Sequence, residues 1–408
     1  MIQSFLYSLF IRVYTAGIFV YAFVNSKAKK WIQGRAKINK DILQKKYPNQ
    51  ETIWFHSASV GEFEQGFPLL KKMRTLYPSY NYLITFFSPS GYEYVQKKYP
   101  EEWICYLPID TKKEVTEFIE QVKPKMVFII KYEFWIRLLQ TLKKNNIPVF
   151  LVSGIFRNEQ IFFQSYGTYF RKALHCFSHF FVQDETSKNL LSSLDIRNST
   201  VMGDTRFDRV LENSSSPFAD QKINQFIQNK KIFVAGNVWA SDTAILQKII
   251  SSLPADWKII LAPHEVENYD ATWLKEKFCL YTESSAFTDR ILILNTIGIL
   301  SKVYRYASFM YVGGGFGKGI HNLLEPAVYQ KPILIGPKYK KFAEAIQLVE
   351  NGCVFPVEEQ KSMDNLLHSI VEDVSFTQGI SNKMEAYIQS NTNISNKIIV
   401  YLQTRNWI

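Results

Sequence analysis

At 408 residues the chain exceeds what one hydrophobic core ordinarily serves, so two domains of about 150 to 200 residues with a cleft between them are expected. A composition 47% hydrophobic and 21% charged excludes a disordered or fibrous chain, and a formal charge of +11 favours acidic partners: nucleic acid, anionic lipid or phosphorylated substrates. Four cysteines (Cys105, Cys176, Cys279, Cys353) lie far apart without zinc-site or disulfide spacing, which fits a reducing, cytoplasmic compartment.

Residues 2–24 are dominated by Phe, Leu, Ile, Val, Tyr and Ala and are interrupted by Arg12. Lys27, Lys29, Lys30 and Arg35 come after this run, the reverse of a cleaved signal peptide. The run is just long enough to cross a bilayer, but Arg12 near its centre would cost about 3 kcal/mol there. A spanning helix and an interfacial helix therefore both stay open as modes of membrane anchoring. The basic residues from Lys27 to Lys46 belong on the cytoplasmic side against anionic lipid, with a solvated helix face as the plainer reading.

From residue 52, short apolar runs alternate with helix-length segments: Thr52 to Phe55, Tyr82 to Phe86, Met126 to Ile130, Val149 to Val152 and Phe180 to Val182. Such runs suit parallel strands buried on both faces, and the rhythm predicts a doubly wound sheet. It pauses across the polar, Ser-rich stretch Glu212 to Asp220, taken as a linker, and resumes with Ile232 to Ala235, Lys258 to Leu261, Ile291 to Leu294, Phe309 to Val312 and Ile333 to Ile335. The expected organisation is an anchor over 1–30, an α/β domain over 31–211, a second over 221–385, and a C-terminal helix over 386–408 that packs back on the first domain.

The first strand runs into His56-Ser57-Ala58-Ser59-Val60-Gly61-Glu62-Phe63, after which Phe63, Phe67 and Leu70 recur at helical spacing. A carboxylate beyond a strand's carboxyl end can act as general base, although Glu62 at a helix N-terminus also simply stabilises the dipole. The third run leads into Lys131-Tyr132-Glu133-Phe134-Trp135, a second acid at the same sheet edge. Gly203-Asp204-Thr205-Arg206-Phe207-Asp208 then offers a guanidinium to a carboxylate or phosphate, or to a structural ion pair.

In the second half, Gly313-Gly314-Gly315-Phe316-Gly317-Lys318-Gly319-Ile320-His321-Asn322-Leu323-Leu324-Glu325-Pro326 follows a strand. Glycines admit a ligand close to the backbone, and the helix start beyond them offers amide groups to an anion, so a phosphate site is expected there, with a tight structural turn as the other reading. The spacing before Lys318 does not make a nucleotide-triphosphate P-loop. Glu325 suits ribose hydroxyls. Ala262-Pro263-His264-Glu265 and Thr296-Ile297-Gly298-Ile299 lie at further strand ends and can line a nucleotide. Nothing near His264 has metal-ligand spacing, and no metal is expected.

The ordered set HSASVGEF, KYEFW, GDTRFD, APHE and GIHNLLEP behind an apolar, basic N-terminus resembles the 3-deoxy-D-manno-octulosonic acid (Kdo) transferases of lipopolysaccharide biosynthesis. The resemblance implies the GT-B architecture of two Rossmann-like domains facing a cleft, and transfer of Kdo from CMP-Kdo to lipid IVA, a lipid A precursor, with inversion and without a metal or cofactor, at the cytoplasmic face of the inner membrane. It implies Glu62 as proton acceptor and Glu133 and Arg206 as transition-state stabilisers. Cytidine-phosphate contacts carry over to Pro263, His264, Ile297, Gly298, Ile299, Asn322, Leu323, Leu324 and Glu325. Three departures stand out: Pro263-His264-Glu265 lacks the family's arginine, Ile136 replaces a proline, and Ala235-Gly236-Asn237-Val238-Trp239 replaces a more hydroxyl-rich loop. A GT-B transferase using another nucleotide sugar, such as a UDP-sugar, is the alternative enzyme. A non-catalytic membrane-bound anion or nucleic-acid binder would explain the charge but not the strand-end acids; no nucleic-acid partner is expected.

Overall fold

The computed structural model describes residues 2–45, 49–267, 269–283, 287–358 and 360–408. Lys46, the end of the basic run, lies outside the described residues. The chain divides into two compact units, one of Met1–Arg209 with Asn393–Ile408 and one of Val210–Thr392. The division falls inside the helix Arg206–Ser215, so the first part of the Ser-rich stretch read as a linker is helical.

In the first unit the strands are β1 (Thr52–Ser57), β2 (Asn81–Phe86), β3 (Trp103–Tyr106), β4 (Pro124–Ile130), β5 (Val149–Gly154), β6 (His179–Val182) and β7 (Ser199–Val201). Among the described residues they form one parallel sheet in the order β3-β2-β1-β4-β5-β6-β7. Every residue of β1 and β2 is buried, which is why these strands read as unbroken apolar runs. Sequence order reverses between β1 and β4, and ligands of open α/β sheets sit beyond the strand ends at such a point.

Three helices precede β1: α1 (Ile2–Tyr21), α2 (Ser26–Arg35) and α3 (Ile38–Lys45). One stripe of α1 is fastened to the body. Tyr7 donates its hydroxyl hydrogen to Asp110 (2.5 Å), Arg137 Nη2 donates to Ser4 O (2.8 Å) and Ser8 Oγ (2.8 Å), and Ile11 is buried. The opposite stripe is open, with Phe5, Phe10 and Val13 all more than 60% exposed. Asp110 also accepts from the backbone N–H groups of Arg137 (3.0 Å) and Leu138 (2.8 Å), capping the helix Ile136–Lys144, whose N-cap Trp135 offers no side-chain acceptor.

At the other end of the chain, the helix Ile394–Thr404 returns to the first unit. Asp208 accepts from the N–H groups of Ile394 (3.2 Å) and Ser395 (2.7 Å). Tyr401 meets His179 Nδ1 at 3.0 Å and Trp407 packs edge-on against Phe150.

The second unit repeats the plan with β8 (Ile232–Val238), β9 (Lys258–Pro263), β10 (Phe278–Leu280), β11 (Ile291–Ile293), β12 (Phe309–Val312), β13 (Ile333–Ile335) and β14 (Val354–Pro356). Its described strands are parallel in the order β10-β11-β9-β8-β12-β13-β14, so its reversal lies between β8 and β12.

Candidate active site

Both acids of the first unit stand at its reversal point. β1 ends at Ser57, and the next helix, α4 (Val60–Leu76), begins three residues on with Glu62 in its first turn. Phe63, Phe67, Leu70 and Met73 form the stripe that α4 buries, and Gly66 lets it settle on β4, since a Cβ there would lie 2.8 Å from Ile130. Ser59 and Glu62 occupy capping-box positions, but the reciprocal bonds are not made; the Ser59 hydroxyl donates to Glu62 Oε2 instead. Glu62 is partly exposed, and no other hydrogen bond or ion pair engages it among the described residues. A carboxylate at a helix N-terminus, held by one hydroxyl and open on its other oxygen, is oriented to accept a proton.

Glu133 follows the end of β4. Lys131, in the left-handed region at φ 74°, turns the chain off the strand, and Glu133 Oε2 accepts from Trp135 Nε1 at 2.6 Å. Behind it lies His56, 0% exposed, with Nε2 3.6 Å from Glu133 Oε2 and without a hydrogen-bond partner. Its other ring nitrogen is held through Thr85. Trp54 Nε1, which can only donate, gives its hydrogen to Thr85 Oγ1 (2.8 Å). The same hydroxyl oxygen lies 2.8 Å from His56 Nδ1, so one threonine joins the indole to the imidazole that faces Glu133.

Arg206 reaches the same helix from β7. Asp204 Oδ1 accepts from Gln65 Nε2 (2.7 Å) and Arg206 N (2.9 Å), and Oδ2 accepts from Arg206 Nε (2.7 Å). Thr205 donates to Gln65 O (2.5 Å) and lies 2.9 Å from Ser153 Oγ. Gln65, one turn after Glu62, thus ties the Arg206 loop to α4. The structural ion pair considered from the sequence is present, with the guanidinium side chain 29% exposed.

In the second unit, the loops after β8 and β12 meet. Asp242, 0% exposed, accepts from Trp239 N (2.9 Å), Gly314 N (2.9 Å) and the Tyr311 hydroxyl (2.9 Å). Two glycines of the rich stretch are explained by this packing rather than by a ligand: a Cβ on Gly313 would lie 2.1 Å from Asn237 O, and one on Gly315 would lie 2.6 Å from Gly336 Cα. The structural turn is therefore present. The helix beyond it, Leu324–Ala327, is a single turn, so its dipole is smaller than the expected helix start supposed. Asn322 Oδ1 accepts from Leu324 N (3.0 Å); Leu323 and Leu324 bury their side chains, which leaves only their backbone for a ligand.

Pro263 is buried at the end of β9 and His264 is exposed. After β11, Ile297 is 86% exposed and Gly298 has φ 96°. Three rings then gather where the sequence offered no such cluster. Trp239 Nε1 donates to His321 Nε2 (2.8 Å), these two rings being within 10° of parallel, and His264 stacks on both at 4.2 and 4.4 Å. Burial and the neighbouring His264 hold His321 below the usual histidine range, against the opposing pull of Asp242. Among the described residues no group of three or more His, Cys, Asp or Glu is placed to hold a metal.

A family model described as 3-deoxy-D-manno-octulosonic-acid transferase (kdotransferase) matches residues 31–209, which hold Glu62, Glu133 and Arg206. A bifunctional glycosyltransferase/methyltransferase of Fusobacterium nucleatum is 26% identical over 86% of this chain, which spans 59% of that longer protein. The 3-deoxy-D-manno-octulosonic acid transferase of Chlamydophila psittaci is 25% identical over 95% of this chain and 92% of its own. A solved UDP-GlcNAc 2-epimerase from Neisseria meningitidis matches 86% of this chain and all of its own, with a TM-score of 0.62 at 15% identity, a likeness of fold. The chain has two Rossmann-like parallel-sheet domains of the GT-B kind, and over residues 31–209 it carries the domain of the Kdo transferases, the glycosyltransferases that its curated relatives resemble over most of their length.

Proposed function

We propose that the protein transfers Kdo from CMP-Kdo to lipid IVA, in lipopolysaccharide biosynthesis, with inversion and without a metal. The observation that carries this reading is Glu62 beyond β1, within the matched domain, held by Ser59 and engaged by no other hydrogen bond or ion pair among the described residues. Glu62 takes the proton of a primary hydroxyl on the acylated glucosamine disaccharide. The hydroxyl oxygen forms a bond to the anomeric carbon of Kdo as the bond from that carbon to the phosphate oxygen breaks, and CMP departs with the electron pair. Glu133 and Arg206 stabilise the charge that develops. Pro263, His264, Ile297 to Ile299 and Asn322 to Glu325 hold the nucleotide.

Membrane attachment belongs to the same proposal. With Ser4, Tyr7 and Ser8 tied to the body and Phe5, Phe10 and Val13 exposed, α1 suits a helix lying in the interface of the inner membrane's cytoplasmic leaflet better than one crossing it. Lys27, Lys29 and Lys30 follow where anionic headgroups would sit.

The test is Kdo transfer to a purified tetra-acylated lipid A precursor, with CMP-Kdo generated in situ and a chelator present in a parallel reaction. Wild type should give product in both, and Glu62→Ala should lose about 10²- to 10⁴-fold in kcat. Near-normal turnover by Glu62→Ala would remove it as the base. No product from a folded wild type would shift the donor to another nucleotide sugar.

A further inference from the structure

Trp239 lies in the loop where this chain departs from the hydroxyl-rich family sequence, and its position is over-determined. Its backbone N–H is held by the fully buried Asp242, which also holds Gly314 N and the Tyr311 hydroxyl. Its ring lies nearly parallel to that of His321 with an N···N distance of 2.8 Å, while His264 covers the pair. An indole N–H has no acceptor capacity, so His321 Nε2 must be the acceptor. A histidine that accepts at Nε2 is neutral and carries its hydrogen on Nδ1, which has no hydrogen-bond partner among the described residues.

We propose that Trp239 is a positioning residue, which fixes His321 as a neutral Nδ1–H donor for an oxyanion of the nucleotide sugar, phosphate or carboxylate. This rests on the donor reading above, in which the adjacent Asn322 to Glu325 contact the nucleotide. Unconstrained imidazole favours the other neutral tautomer, so without the indole the donor would point at its own protein. The titratable groups facing His321 are His264 and Asp242, and its ring is charged only after the bond to Trp239 breaks.

The test uses the full-length protein labelled with ¹⁵N-histidine, with the His321→Gln spectrum identifying the His321 signals. Near neutral pH, Nε2 of His321 should show the unprotonated shift and Nδ1 the protonated one. Trp239→Phe keeps a stacking ring but removes the N–H; it should move His321 towards the Nε2–H tautomer and raise its titration midpoint. Kinetically, Trp239→Phe should raise KM for the donor about three- to tenfold with kcat within about twofold. Titrations with CMP alone and with Kdo alone separate the oxyanions, since only the one that His321 serves should weaken in Trp239→Phe. A wild-type His321 carrying its hydrogen on Nε2, or a Trp239→Phe protein unchanged in both spectrum and KM, would overturn the proposal. The spectrum is read without turnover, so failure to transfer Kdo would count against the donor assignment and leave the tautomer result standing.

Discussion

The two units place a tryptophan and a histidine at their reversal points, and they connect them differently. In the first, the Trp54 indole reaches His56 through the Thr85 hydroxyl, and the imidazole Nε2 stands 3.6 Å from Glu133 Oε2. In the second, the Trp239 indole reaches His321 directly, so Nε2 of that imidazole is an acceptor. A hydroxyl gives as well as takes a hydrogen, so the intervening Thr85 sets no tautomer on its imidazole, whereas a direct indole does. An indole cannot accept, and this makes it a fixed reference against which an ambivalent imidazole is set.

The comparison breaks most severely at Asp242. Asp242→Ala leaves three donors without their acceptor in a fully buried site and should destabilise the second unit by about 3 kcal/mol or more, read from denaturant unfolding. In the first unit, Thr85→Val removes the hydroxyl between Trp54 and His56 and should cost about 2 kcal/mol in thermal unfolding, with Kdo transfer weakened as His56 behind Glu133 loses the partner that orients its ring. A third histidine sharpens the contrast because no indole sets it. His179 lies against Tyr401 and Thr200, and burial, aided by Arg405, pushes it down to about 4. The unfolded chain binds a proton on this group near pH 6.5 while the folded chain does not, so the stability it confers is present above pH 6.5 and lost as pH falls to about 4. Hydrogen exchange in 394–404 should rise over that window, and His179→Gln should flatten the response.

The ten inner strands were legible as apolar runs because parallel strands covered on both faces carry no polar alternation. The four that were not legible are β3, β7, β10 and β14, and each is an edge of its sheet. Three of them are only three residues long and Ser199 to Val201 are half-buried, whereas Trp103 to Tyr106 is a buried apolar run of four that is no shorter than several inner runs, so its place at an edge is not what hides it. Glu62 and Glu133 could be placed at one sheet edge from strand ends alone, whereas His56 behind Glu133 could not, since its significance depends on Thr85 from the neighbouring strand. Asp208, quoted only as part of a motif, turned out to cap a helix nearly two hundred residues later. Trp239 was visible as a departure from the family sequence, but its partner 82 residues away was not.

The return of the last helix to Asp208, His179 and Tyr77 sets an order on biosynthesis. A ribosome releases residues 1–209 early, yet the segment that covers their sheet is made only after all of 210–392 has been translated. At about 5 to 20 residues per second, the nascent first unit waits on the order of ten seconds or more with the seat of that helix uncovered. The second unit meets no such delay, because its sequence is continuous, so the domain begun first is the one completed last.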